Sequence, residues 1–275
     1  MNKAALTAEI IRKKSFLCVG LDVDLAKVPS KFQNSPTALV DFSKAIIDAT
    51  VPYAVAYKPN IAFFETYGVE GMAALKEVID YLNTKHPEVF TIADAKRGDI
   101  GNTSTRYAKA YFETLGFDSI TVAPYMGKDS VEPFLAFKDK YTILLALTSN
   151  PGSADFQRIT ANGTPLFEHV LATSKTWEGS ENLMYVVGAT QADALKKIRT
   201  IIPDAFLLVP GVGAQGGSLE EVAHNGLTDE VGLLVNSSRG IIYASQGEDF
   251  AEAAAASAKR LQVEMAQLLE QKELL

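Results

Sequence analysis

Cysteine is nearly absent from this chain. Cys18 is the only one in 275 residues, which excludes a disulfide framework within the chain and fits a reducing compartment. Histidine is scarce too. His86, His169 and His224 fall in helix-like or loop contexts, without the spacing of metal ligands, so no metal centre is expected. No Ser-His-Asp arrangement is evident either. No window approaches 18 uninterrupted apolar residues, and residues 1–6 lack a signal peptide's apolar core, so the expectation is a cytoplasmic protein with no membrane partner. A basic excess is also missing. With 26 Lys+Arg against 33 Asp+Glu the net charge is −7, which gives no footprint for nucleic acid. An anionic substrate must then be held by local donors, against the overall field.

What is present is ordinary core material, 47% apolar and 21% charged residues. It is arranged in a repeating rhythm. Short continuous apolar runs at 16–21, 53–57, 89–93, 119–123, 141–147, 183–187, 205–209 and 231–235 read as strands buried on both faces. Between them lie helix-spaced segments at 36–50, 69–84, 103–115, 129–137, 165–177, 192–201 and 218–224. A short helix at 7–14 and an alanine-rich one at 250–269 flank the series. Strands alternating with helices imply a parallel sheet, and eight of them can close into a (β/α)₈ TIM barrel occupying 1–275 as one domain. A doubly wound open sheet is the alternative; the count of eight and the unbroken alternation favour the barrel.

In such a barrel function sits at the C-terminal ends of the strands. Asp22, Lys58, Asp94, Lys96, Asp99, Ser149, Gln215 and Arg239 all follow expected strand ends. If strand geometry continues past residue 93, Asp94 and Lys96 share a face, with Asp99 beyond a turn at Gly98. A lysine bracketed by two carboxylates keeps its proton. By itself the stretch also fits a solvated surface ion pair. Residues 211–217 hold four glycines, and Ser218 with Glu221 has the capping-box pattern at a helix start. Backbone N–H groups there, with the Arg239 guanidinium after the next strand, suit a phosphate. The residues alone thus point to a phosphorylated small molecule and to acid-base or electrostatic chemistry by lysine and aspartate.

These residues resemble the orotidine 5′-phosphate decarboxylase family, in the form found in its bacterial type 2 branch. The signature Asp-x-Lys-x-x-Asp stands here as Asp94-Ala95-Lys96-Arg97-Gly98-Asp99. Asp22, Lys58, Ser149 before Asn-Pro-Gly, the stretch from Pro210 to Gln215, and Arg239 occur in family order, so the likeness runs from Phe16 to about Ile242. The resemblance implies loss of CO₂ from orotidine 5′-monophosphate to give uridine 5′-monophosphate, the last step of pyrimidine nucleotide synthesis, without metal or organic cofactor. It implies Lys96 as proton donor to C6 and Asp94 against the departing carboxylate. Asp22 and Lys58 would meet the ribose hydroxyls and Ser149 the pyrimidine, with Pro210 in the substrate-binding set and Gln215 and Arg239 on the phosphate. Asp99 and Thr103 would reach into the neighbouring subunit's site in a homodimer. Mg²⁺-dependent sugar-phosphate lyases share Asp-x-Lys-x-x-Asp, but they carry a metal-binding glutamate where this chain has Lys58. A silent phosphate-binding barrel is a further alternative, against which the intact Lys96 and its carboxylates stand. Ser238 occupies a place where many relatives have glycine, and no residue is assigned from 153–163 or 179–182.

Overall fold

Eight parallel strands close on themselves: β1 (Leu17–Leu21), β2 (Ala56–Pro59), β3 (Phe90–Arg97), β4 (Ser119–Val122), β5 (Tyr141–Leu147), β6 (Leu183–Val187), β7 (Leu207–Pro210) and β8 (Leu233–Ser237). Each pairs with its sequence neighbours, and β1 pairs with β8 to complete the ring. The computed structural model describes residues 1–33, 35–212 and 216–275. The barrel is therefore the expected (β/α)₈ architecture, and no open sheet edge remains to favour the doubly wound alternative.

The main helices follow the strands around the outside. They are α1 (Lys3–Lys13), α2 (Ala38–Thr50), α3 (Gly68–Lys85), α4 (Gly101–Lys109), α5 (Lys128–Leu135), α6 (Leu166–Ser174), α7 (Ala192–Ile201), α8 (Leu219–Gly226) and α9 (Phe250–Gln271). Helix α1 begins four residues before the expected start at residue 7. Asn2 caps it, its side chain accepting from the Ala5 N–H, and Lys14 ends it in the left-handed region. This helix lies under the N-terminal ends of the strands. Its Lys3 backbone N–H donates to the Tyr141 hydroxyl at 2.7 Å and the Lys3 ammonium donates to the Asp204 carbonyl at 2.6 Å. Its other end is tied down by Lys13, whose buried ammonium donates to the carbonyls of Val51 and Ala54.

Most strand boundaries differ from expectation by a residue or two, and the larger differences bear on the site. The run at 53–57 begins pairing only at Ala56, because residues 51–53 form a turn. The strand expected to end at residue 93 continues to Arg97. Lys58, Asp94 and Lys96 are thus strand residues rather than residues of the following loops. The segment expected to be loop at 153–163 contains a short antiparallel hairpin, Thr160–Ala161 with Thr164–Pro165.

Alternation along each strand decides what enters the barrel. The register pairs Gly20 with Lys58, Thr121 with Ile143, Leu145 with Val186, and Asn236 with both Cys18 and Pro210. The inward positions nearest the C-terminal rim are therefore Gly20, Lys58, Asp94, Thr121, Leu145, Val186, Pro210 and Asn236. Below them apolar side chains such as Ile92, Ile143, Leu208 and Leu234 fill the interior, all fully buried or nearly so. The rim is consequently split. β2 to β4 and β8 present charge and polarity, β1 leaves space at Gly20, and β5 to β7 present an apolar wall.

Candidate active site

The polar half of the rim is a chain of charges centred on Asp94. The Lys58 ammonium donates to Asp94 Oδ2 at 2.7 Å and the Lys96 ammonium to Asp94 Oδ1 at 2.5 Å. The Lys58 side chain is 5% exposed and that of Asp94 11%, whereas that of Lys96 is 52% exposed and stands into the mouth. Burial by itself would push the Asp94 carboxyl up. The two ammoniums outweigh it and hold the group well below the usual carboxylate range. Burial would likewise lower Lys58; Asp94 and Asp22 outweigh it and hold the ammonium above its ordinary value. The lysine bracketed by two carboxylates is therefore Lys58, and not Lys96 as the sequence suggested.

Lys96 reaches Asp94 by an unusual route. It lies in the left-handed region at φ 49°, where the pairing of β3 with β4 shifts register between Ala93 and Arg97. A lysine there is strained by the order of 1 kcal/mol or more. Thr121 holds it in place: its hydroxyl oxygen accepts the Lys96 N–H at 2.9 Å and donates to Asp94 Oδ1 at 3.2 Å. The shift turns Arg97 outward, where it pairs with Glu65 and lies over the rings of Tyr107 and Tyr111.

Asp99 and Thr103 do not join this network. Asp99 Oδ1 accepts from the Ile100 N–H at 2.7 Å, and Thr103 is exposed on the first turn of α4. Asp22 sits at the end of β1, with Oδ1 buried and without a hydrogen-bond partner among the described residues. Its loop is clasped by two tyrosines. Tyr243 donates its hydroxyl to the Asp22 carbonyl at 2.9 Å and accepts the Asp24 N–H, while Tyr67 accepts the Leu25 N–H. Beneath Lys58 the Cys18 thiol is buried against Asn236, and burial pushes it up to about 12. It is no nucleophile.

On the opposite side Ser149 follows β5 and packs against Gly188, where an added Cβ would come within 2.6 Å of the Ser149 nitrogen. Pro210 ends β7. The loop behind it is drawn together at its base by the Gly217 N–H donating to the Gly211 carbonyl at 3.2 Å and by a bridge between Val212 and Gly217. Gln215 lies outside the described residues. Ser218 caps α8 as expected, accepting the Glu221 N–H. Arg239 opens the single helical turn Arg239–Ile242, exposed and with no ion-pair partner among the described residues. Ser238, beside it, donates to the Gly20 carbonyl at 3.0 Å.

Sequence reading missed Thr121, Asn236, Leu145 and Val186. The signal for all four was alternation: each stands two residues beyond an inward position of its own strand, Ser119, Leu234, Ile143 and Met184 in turn. Nothing in the sequence marked Tyr243, which acts through a fold contact 221 residues away.

Comparison with known proteins places the chain in a family. A family model described as "Orotidine 5'-phosphate decarboxylase / HUMPS family" matches residues 15–255. The orotidine 5'-phosphate decarboxylase of Flavobacterium johnsoniae is 61% identical over 99% of this chain and its own full length. That of Christiangramia forsetii is 63% identical over 98% of this chain and 99% of its own. Among solved structures, Leishmania donovani OMP decarboxylase superposes with a TM-score of 0.83 at 39% identity, covering 98% of this chain and 99% of that one.

Proposed function

Since the chain belongs to the orotidine 5'-phosphate decarboxylase / HUMPS family, we propose that its charged rim carries out the decarboxylation its relatives are named for. The enzyme is a carboxy-lyase that converts orotidine 5′-monophosphate to uridine 5′-monophosphate and CO₂, the last step of pyrimidine nucleotide synthesis. The observation that carries the residue roles is the Lys58–Asp94–Lys96 array, buried at one end and open at the other.

Loss of CO₂ from C6 leaves an electron pair in the plane of the ring, where the π system cannot delocalise it. A fixed ammonium beside C6 stabilises that charge as it develops and then delivers the proton. Lys96 is the exposed cation of the array and takes this role. Asp94 stays ionised between its two lysines, lies against the departing carboxylate, and holds the Lys96 ammonium in position. Lys58 keeps Asp94 charged, and its cation stands where a metal-dependent relative would need a carboxylate ligand, so the reaction runs without metal or cofactor. The unpartnered Asp22 Oδ1 is suited to accept from a ribose hydroxyl, and Lys58 faces the same side. Leu145, Val186 and Pro210 give the flat ring an apolar wall, and Ser149 reads its edge. Arg239 and the loop bearing Gln215 take the phosphate. Binding energy from that remote group orients the reacting centre.

Asp99 and Thr103 take no part in their own chain's array, and exposed Ile100, Tyr125 and Met126 lie on the adjoining loops. That pattern supports a homodimer in which both residues complete the partner's site. Among the described residues no helix is long and apolar enough to cross a membrane, and the proposed location is the cytoplasm. The test is a direct assay: absorbance of orotidine 5′-monophosphate falls on adding the enzyme, at the same rate with EDTA. Turnover abolished by EDTA and restored by Mg²⁺ would overturn the reading.

A further inference from the structure

The loop after β5 holds a residue that the proposed chemistry does not use. From residue 154 to 160 every side chain is exposed except Gln157. Gln157 turns inward and closes a two-point clamp on Thr148. Its Oε1 accepts the Thr148 N–H at 2.8 Å and its Nε2 donates to the Thr148 hydroxyl at 2.9 Å. That hydroxyl donates in turn to Asn150 Oδ1 at 2.6 Å. Both neighbours of Ser149 are thereby tied to one amide. Gln157 is itself anchored at both backbone groups, its N–H to the Ser153 carbonyl at 2.9 Å and its carbonyl to the Phe167 N–H at 3.0 Å. A second amide reinforces the grip: Gln191 donates to the Thr148 carbonyl at 3.4 Å and accepts from Arg158.

On the far side Gly188 leaves no room for Ser149 to retreat. A single added Cβ there would meet its N, Cα and Cβ within 2.9 Å. Ser149 is thus fixed between a close backbone contact and a hydrogen-bonded clamp. Ordering a side chain in an exposed loop costs conformational entropy, which the paired hydrogen bonds to Thr148 offset.

We propose that Gln157 is a positioning residue that sets Ser149 for recognition of the pyrimidine edge, through Thr148 and Asn150 and without touching the substrate. The inference rests on the decarboxylase reading, in which Ser149 meets the base. Displacing a contact by an ångström is enough to cost about a hundredfold in rate when orientation drives the chemistry.

The experiment compares Gln157→Met, which keeps the length and loses both bonds, with Gln157→Glu, which keeps the acceptor for the Thr148 N–H. Each is assayed on orotidine 5′-monophosphate, and binding of uridine 5′-monophosphate and of ribose 5-phosphate is measured by calorimetry. Expected for Gln157→Met is a fall in kcat/KM of roughly tenfold to a hundredfold. Nucleotide binding weakens with it, ribose 5-phosphate binding is unchanged, and Gln157→Glu recovers part of the loss. Adding Ser149→Ala to Gln157→Met should cost little more than either change alone. Equal weakening of both ligands means that Gln157 merely supports the loop, and wild-type constants mean that it positions nothing; each result overturns the proposal. Failure of the decarboxylase reading would show separately, as a wild-type enzyme inert toward orotidine 5′-monophosphate.

Discussion

Lys96 shows how much a single backbone conformation can matter. Its positive φ brings the ammonium back onto Asp94 while leaving half of the side chain open to the mouth. Lys96→Ala removes the proton donor and the stabilising charge together. Decarboxylation should fall by about 10³-fold or more, with uridine 5′-monophosphate still bound; a kcat near wild type would refute the assignment. Asp94 and Lys58 make a second prediction, about pH. Asp94 is held below its unfolded value of about 3.9, so its contribution to stability is complete above that pH and is lost as pH falls. Lys58 is held above its unfolded value of about 10.4, so its contribution is complete below that pH and is lost as pH rises through the folded value. Between about pH 5 and pH 9 the pair should add no slope to the melting temperature. Asp94→Asn leaves a buried ammonium unpaired and should cost about 3 kcal/mol near neutral pH. Its melting temperature should draw closer to that of wild type as the pH falls below about 4, and a constant gap would exclude the ion pair as the cause.

At the level of elements, the seam between β1 and β8 is a tight join at the rim. A Cβ on Gly20 would stand 2.7 Å from the Ser238 Cβ and 3.2 Å from Asn236 Oδ1. Gly20→Ala should therefore destabilise the barrel by about 1–3 kcal/mol in urea unfolding. Adding Ser238→Gly should return part of the loss, because the nearest obstacle goes with it. Strand periodicity made the eight strands legible, since each is a short apolar run bounded by turn residues. What it could not convey was where β3 stops. Charged residues 94–97 read as loop, yet their backbone keeps pairing because Lys58, Lys96 and Thr121 satisfy the one carboxylate that turns inward. The β5 hairpin was invisible for a different reason. Its strands are two residues long, one exposed and the other half-buried, and so carry no hydrophobic pattern.

For the molecule as a whole, the array centred on Asp94 is built by one chain, and the signature's second aspartate takes no part in it. If Asp99 serves the partner's site, mixing Lys96→Ala with Asp99→Ala enzyme should restore activity. Each mixed dimer then holds one intact site and one doubly defective site, so random exchange yields about a quarter of wild-type turnover. No recovery after verified subunit exchange would place Asp99 in its own chain's site. Sequence reading found the signature, but which of its residues meet is a property of the fold: Lys58 and Thr121 join Asp94 while Asp99 accepts from the Ile100 N–H, and no spacing rule expresses that.

The helix beneath the barrel also has a meaning in time. The partners of Lys3 lie 138 and 201 residues further along the chain. When α1 leaves the ribosome, neither Tyr141 nor Asp204 has yet been made. Contacts that close loops of such length form late, after the local strand-helix units have condensed. The Lys3 end of helix α1 should therefore dock late, after the segments that carry its partners, whereas Lys13 at the other end can meet Val51 and Ala54 early.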